Sequence, residues 1–105
     1  MKTSQERKET PIYSGVLQYF PLAIQAVARQ SYKGNEKHNP DQPLHWSREK
    51  SSDHLDCIAR HLMTPYEIDP ETNMPHIVSV AWRALAQAQL ILEDIEENQK
   101  KLKRQ

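Results

Sequence analysis

The chain falls into three stretches of helical periodicity separated by two proline-rich connections. In the first stretch Phe20, Ile24, Val27, Ala28 and Ser31 recur at the three- and four-residue spacing of one helix face. Pro21 suits the first turn of a helix, where its missing N–H costs nothing, and Gly34 offers a C′ stop, so the first helix is predicted over 20–33. The sixteen residues GNEKHNPDQPLHWSRE that follow carry no periodicity. A loop this long in a small domain is more often functional than idle. Ser51 or Ser52 is placed to cap a second helix over 52–64, in which Leu55, Ile58, Ala59 and Leu62 form an i, i+3, i+4, i+7 stripe expected to be buried, with Pro65 as its stop. After the turn-rich PYEIDPETNMP, Thr72 or Asn73 can cap a third helix carrying Ile77, Ala81, Ala84, Leu85, Ala88 and Leu92 on one stripe, extended by Ile95. Residues 1–10 lack a pattern after Met1 and read as a loose, flexible tail; 11–95 form the single domain, and 96–105 are a charged helix end or tail, acidic first and basic last. With no strand signal, the fold class is all-α: three main helices and a long loop between the first two.

Composition narrows this picture. The chain has 105 residues, of which 37% are hydrophobic, so it holds one small domain with little core of its own. Two stripes of small and aliphatic residues on such a chain predict burial by self-association, a dimer or higher homo-oligomer closing a four-helix-bundle core. Fourteen Lys and Arg balance fourteen Asp and Glu. Zero net charge argues against binding a nucleic-acid polymer through phosphate contacts, while leaving small polyanions open. One cysteine cannot make an intrachain disulfide, the N-terminal MKTSQERKET has no apolar segment, and no run approaches a membrane span. The expectation is a cytoplasmic protein with no membrane partner.

The five histidines all fall between His38 and His76. On the second helix Asp53, Asp56, Cys57, Arg60 and Thr64 lie opposite the leucine stripe, with His61 at the edge. Asp53 and Asp56 are like charges three residues apart and call for a neighbouring cation. Either Arg60, in an ordinary exposed pair, or a divalent metal meets that need. On the third helix His76, Ser79, Val80, Arg83 and Gln87 share a side. A first-turn position disfavours a charged imidazolium, so His76 is expected to be neutral, as a ligand or as a partner of a backbone carbonyl. Trp46 and Trp82 suit packing; Trp46, in a loop with Lys37, His38 and His45 around it, also suits a nucleobase or phosphate contact. No HExxH and no CxxC pair is present to make a zinc motif. Cys57 is poorly placed as a nucleophile beside two aspartates.

The order of segments PIYSGVLQYFPLAIQAVARQSYKGNEKHN, PLHW, DHLDCIARHL, DPETNMPH and AWRALAQAQLILE resembles the N-terminal dATP/dGTP diphosphohydrolase family of phages and bacteria, itself similar to the MazG-like all-α nucleoside triphosphate pyrophosphatases. The resemblance covers residues 7–93 and is carried by Arg60-His61-Leu62, by Asp69 to Thr72 followed by His76, and by Gly34 to His38 with Trp46 downstream. It implies metal-dependent cleavage of a purine deoxynucleoside triphosphate to monophosphate and pyrophosphate in the cytosol of a bacterium or a phage-infected host. MazG-like enzymes hold magnesium on EExxE and ExxD runs of facing helices. In their place this chain offers Asp53, Asp56 and His61, then His76 with Ser79. The resemblance thus implies Asp53, Asp56, His61 and His76 as ligands of Mg2+ or Mn2+, with His61 or His76 as base and Asp69 or Glu71 orienting it. Arg60, Lys37 and Arg83 would take phosphate oxygens; Asn35, His38 and Trp46 would contact base or sugar. With fewer carboxylates than the pattern, a non-catalytic nucleotide-binding or adaptor module of the same fold is the alternative.

Overall fold

A computed structural model describes residues 3–104. Met1, Lys2 and Gln105, the outermost residues of the two expected tails, lie outside the described residues. Four helices run in order: α1 (Ser4–Lys8), α2 (Pro21–His38), α3 (His54–Leu62) and α4 (His76–Lys103). A π-helical turn (Tyr13–Leu17) precedes α2, a 3-10 turn (Arg48–Lys50) precedes α3, and two short strands, β1 (Ile68–Asp69) and β2 (Met74–Pro75), lie between α3 and α4.

The N-terminal segment, expected to be loose, is helical because Thr3 and Glu6 close a reciprocal capping box. In α2, Pro21 occupies the first turn as expected, but Gly34 does not end the helix. No glycine has positive φ, so Gly34 never takes the left-handed conformation of a C′ cap, and the helix continues to His38. The stop is Asn39-Pro40: the residue before a proline is pushed out of the helical region, and Asn39 sits at φ −134°.

The absence of strands was also a wrong expectation. Ile68 pairs with Pro75 and Asp69 with Met74 in a minimal antiparallel hairpin, turned through Asn73 at φ 59°. This hairpin replaces the side-chain cap expected of Thr72 or Asn73. The α4 amides of His76 and Ile77 donate instead to the carbonyls of Glu67 (2.9 Å) and Pro65 (3.1 Å).

Helix α4 is the common partner of α3 and α2. The faces it uses are the reverse of those the leucine pattern suggested. On α3, Leu55 (66% exposed) and Leu62 (51%) face outward, whereas His54 and Cys57 are buried. On α4, Ser79 and Ala86 are buried, while Ile77, Leu85, Leu92 and Ile95 are exposed. Cross-helix bonds from Ser79 to Gln30 (3.2 Å) and from Trp82 Nε1 to Ser31 Oγ (2.8 Å) tie α4 to α2. The apolar stripe of α4 is thus left uncovered within this chain. The radius of gyration, 16.4 Å, exceeds the ~13 Å of a compact domain this long. Part of the excess is the 28-residue α4.

Candidate active site

Between the C-terminal half of α2, the 39–47 loop, the start of α3 and the N-terminal third of α4 lies a cleft of about 530 Å3, a volume suited to a small ligand. Extension of α2 past Gly34 builds one wall, because Lys33 and Lys37 then project one turn apart. Asn35 holds the loop against that wall. Its Nδ2 donates to Gln42 O (3.0 Å), while its Oδ1 accepts from His45 N (3.1 Å) and from Asn39 Nδ2 (3.3 Å). Trp46, carried by the loop, packs edge-on against Trp82 (5.9 Å between centroids, 84°), and the Arg48 guanidinium sits 4.5 Å over its ring.

The cleft is rich in cations. Lys33, Lys37, Lys50 and Arg83 line it together with His38, His45 and His54, and Glu71 is the one carboxylate among the lining residues. Lys33 donates to Thr72 O, and Lys37 pairs with Glu71 at 3.4 Å. Arg83 donates to Ser51 Oγ (3.0 Å) and to His54 Nδ1 (3.2 Å). Burial, then the Arg83 charge, lowers the His54 pKa. Because Arg83 has only donors, Nδ1 of the neutral imidazole must be the acceptor and Nε2 carries the proton. That N–H is buried with no partner among the described residues.

A second cluster stands beside the cleft. The hairpin sets His76, first residue of α4, against His61 in the last turn of α3, with Nδ1 atoms 2.7 Å apart and ring centroids 4.9 Å apart. Asp69, buried at the end of β1, accepts from Glu71 N through Oδ1 (2.9 Å) and turns Oδ2 toward His76 Nδ1 at 3.7 Å. One donor atom from each of His61, Asp69 and His76 lies within 4.8 Å of the others. Burial first, then the neighbouring His76, lowers the His61 pKa, and Asp69 opposes the shift.

The structure therefore sorts the sequence-derived residues into groups. Asn35, Lys37, His38, Trp46, Arg83 and Glu71 line the cleft, although the Asn35 amide is engaged by the loop rather than free for a base. His61, His76 and Asp69 converge next to it. Arg60 lies outside both, exposed, donating to Cys57 Sγ at 3.3 Å. Asp53, at the N-cap of α3, and Asp56, in its first turn, are exposed and do not join the histidines in a metal-competent group among the described residues. The residues missed were Lys33, Lys50, His45 and His54. Lys33 and Lys37 at i, i+4 carried a signal that the early helix stop concealed; His54 carried none, since its burial depends on which face of α3 packs.

Neither a curated protein nor a solved structure shows significant similarity to the chain. The sequence profile described as dATP/dGTP diphosphohydrolase, N-terminal, matches residues 2–100, nearly the whole length. The chain belongs to the dATP/dGTP diphosphohydrolase N-terminal family.

Proposed function

We propose that the chain binds a purine deoxynucleoside triphosphate in the cleft and hydrolyses it to the monophosphate and pyrophosphate with Mg2+ or Mn2+. The observation that carries this reading is a cleft lined by four Lys and Arg side chains, two tryptophans and one carboxylate, in a chain of this family. Lys33, Lys37 and Lys50 provide point charges for the polyphosphate, and Arg83 provides a fork. Trp46, half-buried and braced by Trp82, offers an aromatic edge or face to the base, and His38 and His45 offer polar contacts to base or sugar. His54 Nε2–H is an unused donor suited to an acceptor oxygen or ring nitrogen. His61 and His76, with Asp69 beside them, stand next to the cleft, and the Glu71 carboxylate faces Lys37 in its wall rather than the imidazoles.

A divalent cation supplies charge neutralisation and a more acidic water when bound. The exposed pair Asp53 and Asp56 does not fit such an ion, since among the described residues no third His, Cys, Asp or Glu donor converges on it. A second copy, packed on the exposed Leu85 and Leu92 face, belongs to this reading as the way the apolar stripe is removed from water.

The test is pyrophosphate release across all common ribo- and deoxynucleoside triphosphates, with and without each metal. Release from dATP or dGTP is expected; folded protein inert on every nucleotide overturns the catalytic reading. The single carboxylate of the cleft favours one alternative, a non-catalytic nucleotide-binding module of the same fold, which predicts calorimetric binding without turnover.

A further inference from the structure

We propose that His61, Asp69 and His76 form a resident site for a divalent transition-metal ion, zinc or manganese, separate from the nucleotide cleft and mechanically joined to it by the hairpin turn. The site itself stands on geometry alone; its effect on the cleft rests on the nucleotide reading above.

Three donors arrive from three different elements: the last turn of α3, the end of β1 and the first residue of α4. In sequence they are eight and seven residues apart, a spacing that matches no zinc motif; the hairpin makes the convergence. The donor arrangement is incomplete as a hydrogen-bond network. The two imidazoles meet through the same atom, so a single proton serves both Nδ1 positions at 2.7 Å. Asp69 Oδ2, on a side chain 9% exposed, stops 3.7 Å short of His76 Nδ1, within ion-pair range and beyond a hydrogen bond. A cation between the three satisfies both nitrogens and Oδ2 at once. Around a tetrahedral ion with bonds of about 2.0–2.1 Å, two ligand atoms stand about 3.3 Å apart. The imidazoles therefore need to part by about 0.6 Å and the carboxylate to close on His76 by about 0.4 Å and to approach His61 from within 4.8 Å, a side-chain adjustment.

Donor chemistry selects the metal. Two imidazoles and one carboxylate suit zinc, manganese and their first-row neighbours, whereas magnesium prefers oxygen ligands throughout. This differs from the carboxylate-held magnesium implied by the MazG-like resemblance, and it leaves positions open for water.

None of the three residues lines the cleft, yet the turn that Asp69 begins does. Asp69 O accepts from Thr72 N (3.2 Å) and Asn73 N (2.7 Å), and its Oδ1 holds Glu71 N. Glu71 and Thr72 then meet Lys37 and Lys33 at the cleft wall. A metal that fixes Asp69 fixes this turn, and with it the position of two cleft lysines.

Titration of the full chain, nucleotide-free, with ZnCl2, MnCl2 and MgCl2 by calorimetry tests the site. One zinc or manganese per chain is expected, with no magnesium binding of comparable affinity. Binding should weaken at least tenfold in Asp69→Asn, which keeps an acceptor for Glu71 N, and in His76→Gln, but persist in Asp56→Asn. In the wild type, Mn2+ should broaden the ring NMR signals of two of the five histidines before the others, a readout that needs no variant to fold. Absence of zinc and manganese binding, broadening that begins at the cleft histidines, or loss in Asp56→Asn with retention in Asp69→Asn overturns the proposal. Pyrophosphate release is measured separately: a chain that binds zinc here but hydrolyses nothing loses the hydrolase reading and keeps the metal site.

Discussion

Arg83 Nη1 donates to His54 Nδ1 across 3.2 Å, and this one bond fixes the proton of a buried imidazole on Nε2. The guanidinium also holds Ser51, so one side chain anchors the start of α3 to α4 at the floor of the cleft. Arg83→Met keeps the bulk and removes both donations. Leaving a buried acceptor unpaired should cost about 1–3 kcal/mol in denaturant unfolding, and nucleotide affinity should fall at least tenfold by calorimetry. Unchanged stability would show that water replaces the guanidinium without penalty.

Acid should destabilise the fold as pH falls below the ordinary histidine value. His54 and His61 both have pKa values below the ordinary histidine value, through burial and the charges of Arg83 for His54 and of His76, Arg60 and Arg83 for His61; Asp53 and Asp69 oppose these shifts. The unfolded chain then binds more protons than the folded one below about pH 6.5, so stability is full above that pH and declines as pH falls toward the folded pKa values. Melting temperatures from pH 8 to pH 5 check this. The slope should shrink in His54→Gln, even if that variant is less stable overall.

Asn35 is a brace for the loop that carries Trp46. Asn35→Ala removes its amide bonds to Gln42, His45 and Asn39, and should cost about 2–3 kcal/mol. The discriminating measurement is hydrogen exchange: the His45 amide should exchange faster while amides in α4 keep their relative protection. Uniform acceleration would instead mean global weakening.

Gly34 sits inside α2 with nothing within 4 Å of where a Cβ would stand. Gly34→Ala should therefore stabilise the protein by about 1 kcal/mol, the helix-propensity difference. Because Gly34 also lines the cleft, a stabler variant with a raised KM would place the substrate directly over this position.

The exposed face of α4 predicts a second copy. Wild type is expected to run as a dimer in light scattering coupled to gel filtration, and Leu85→Glu as a monomer with the same helical circular dichroism. A monomeric wild type at high concentration removes this part.

Helix existence was legible because long periodic segments and Pro21 report on local backbone preference. What packs against what was not, and α3 shows why. Its leucine stripe is genuine, but an apolar face says only that something covers it, and within this chain α4 covers His54 and Cys57 instead. The 68–75 hairpin escaped notice because two-residue strands have no periodicity to detect, and with it went the convergence of Asp69 with the two histidines. The cleft residues were more legible: an unpatterned loop carrying Lys37, His38 and Trp46 already pointed there, whereas the misplaced stop at Gly34 hid the pairing of Lys33 with Lys37 along α2.

Among the described residues, Cys57 and Ala86 are the only buried apolar side chains; Asn35, His54, Asp69 and Ser79 are the polar ones. The interior of the chain and the wall of its cleft are thus partly the same atoms. A molecule seated in the cleft adds the contacts that leucines supply elsewhere, and occupancy becomes part of the folding equilibrium. At a hundredfold excess over Kd the added stability is about 2.7 kcal/mol, a large share of what a domain this small ordinarily possesses. Ligand concentration would then set how long the protein survives proteolysis as well as how fast it works.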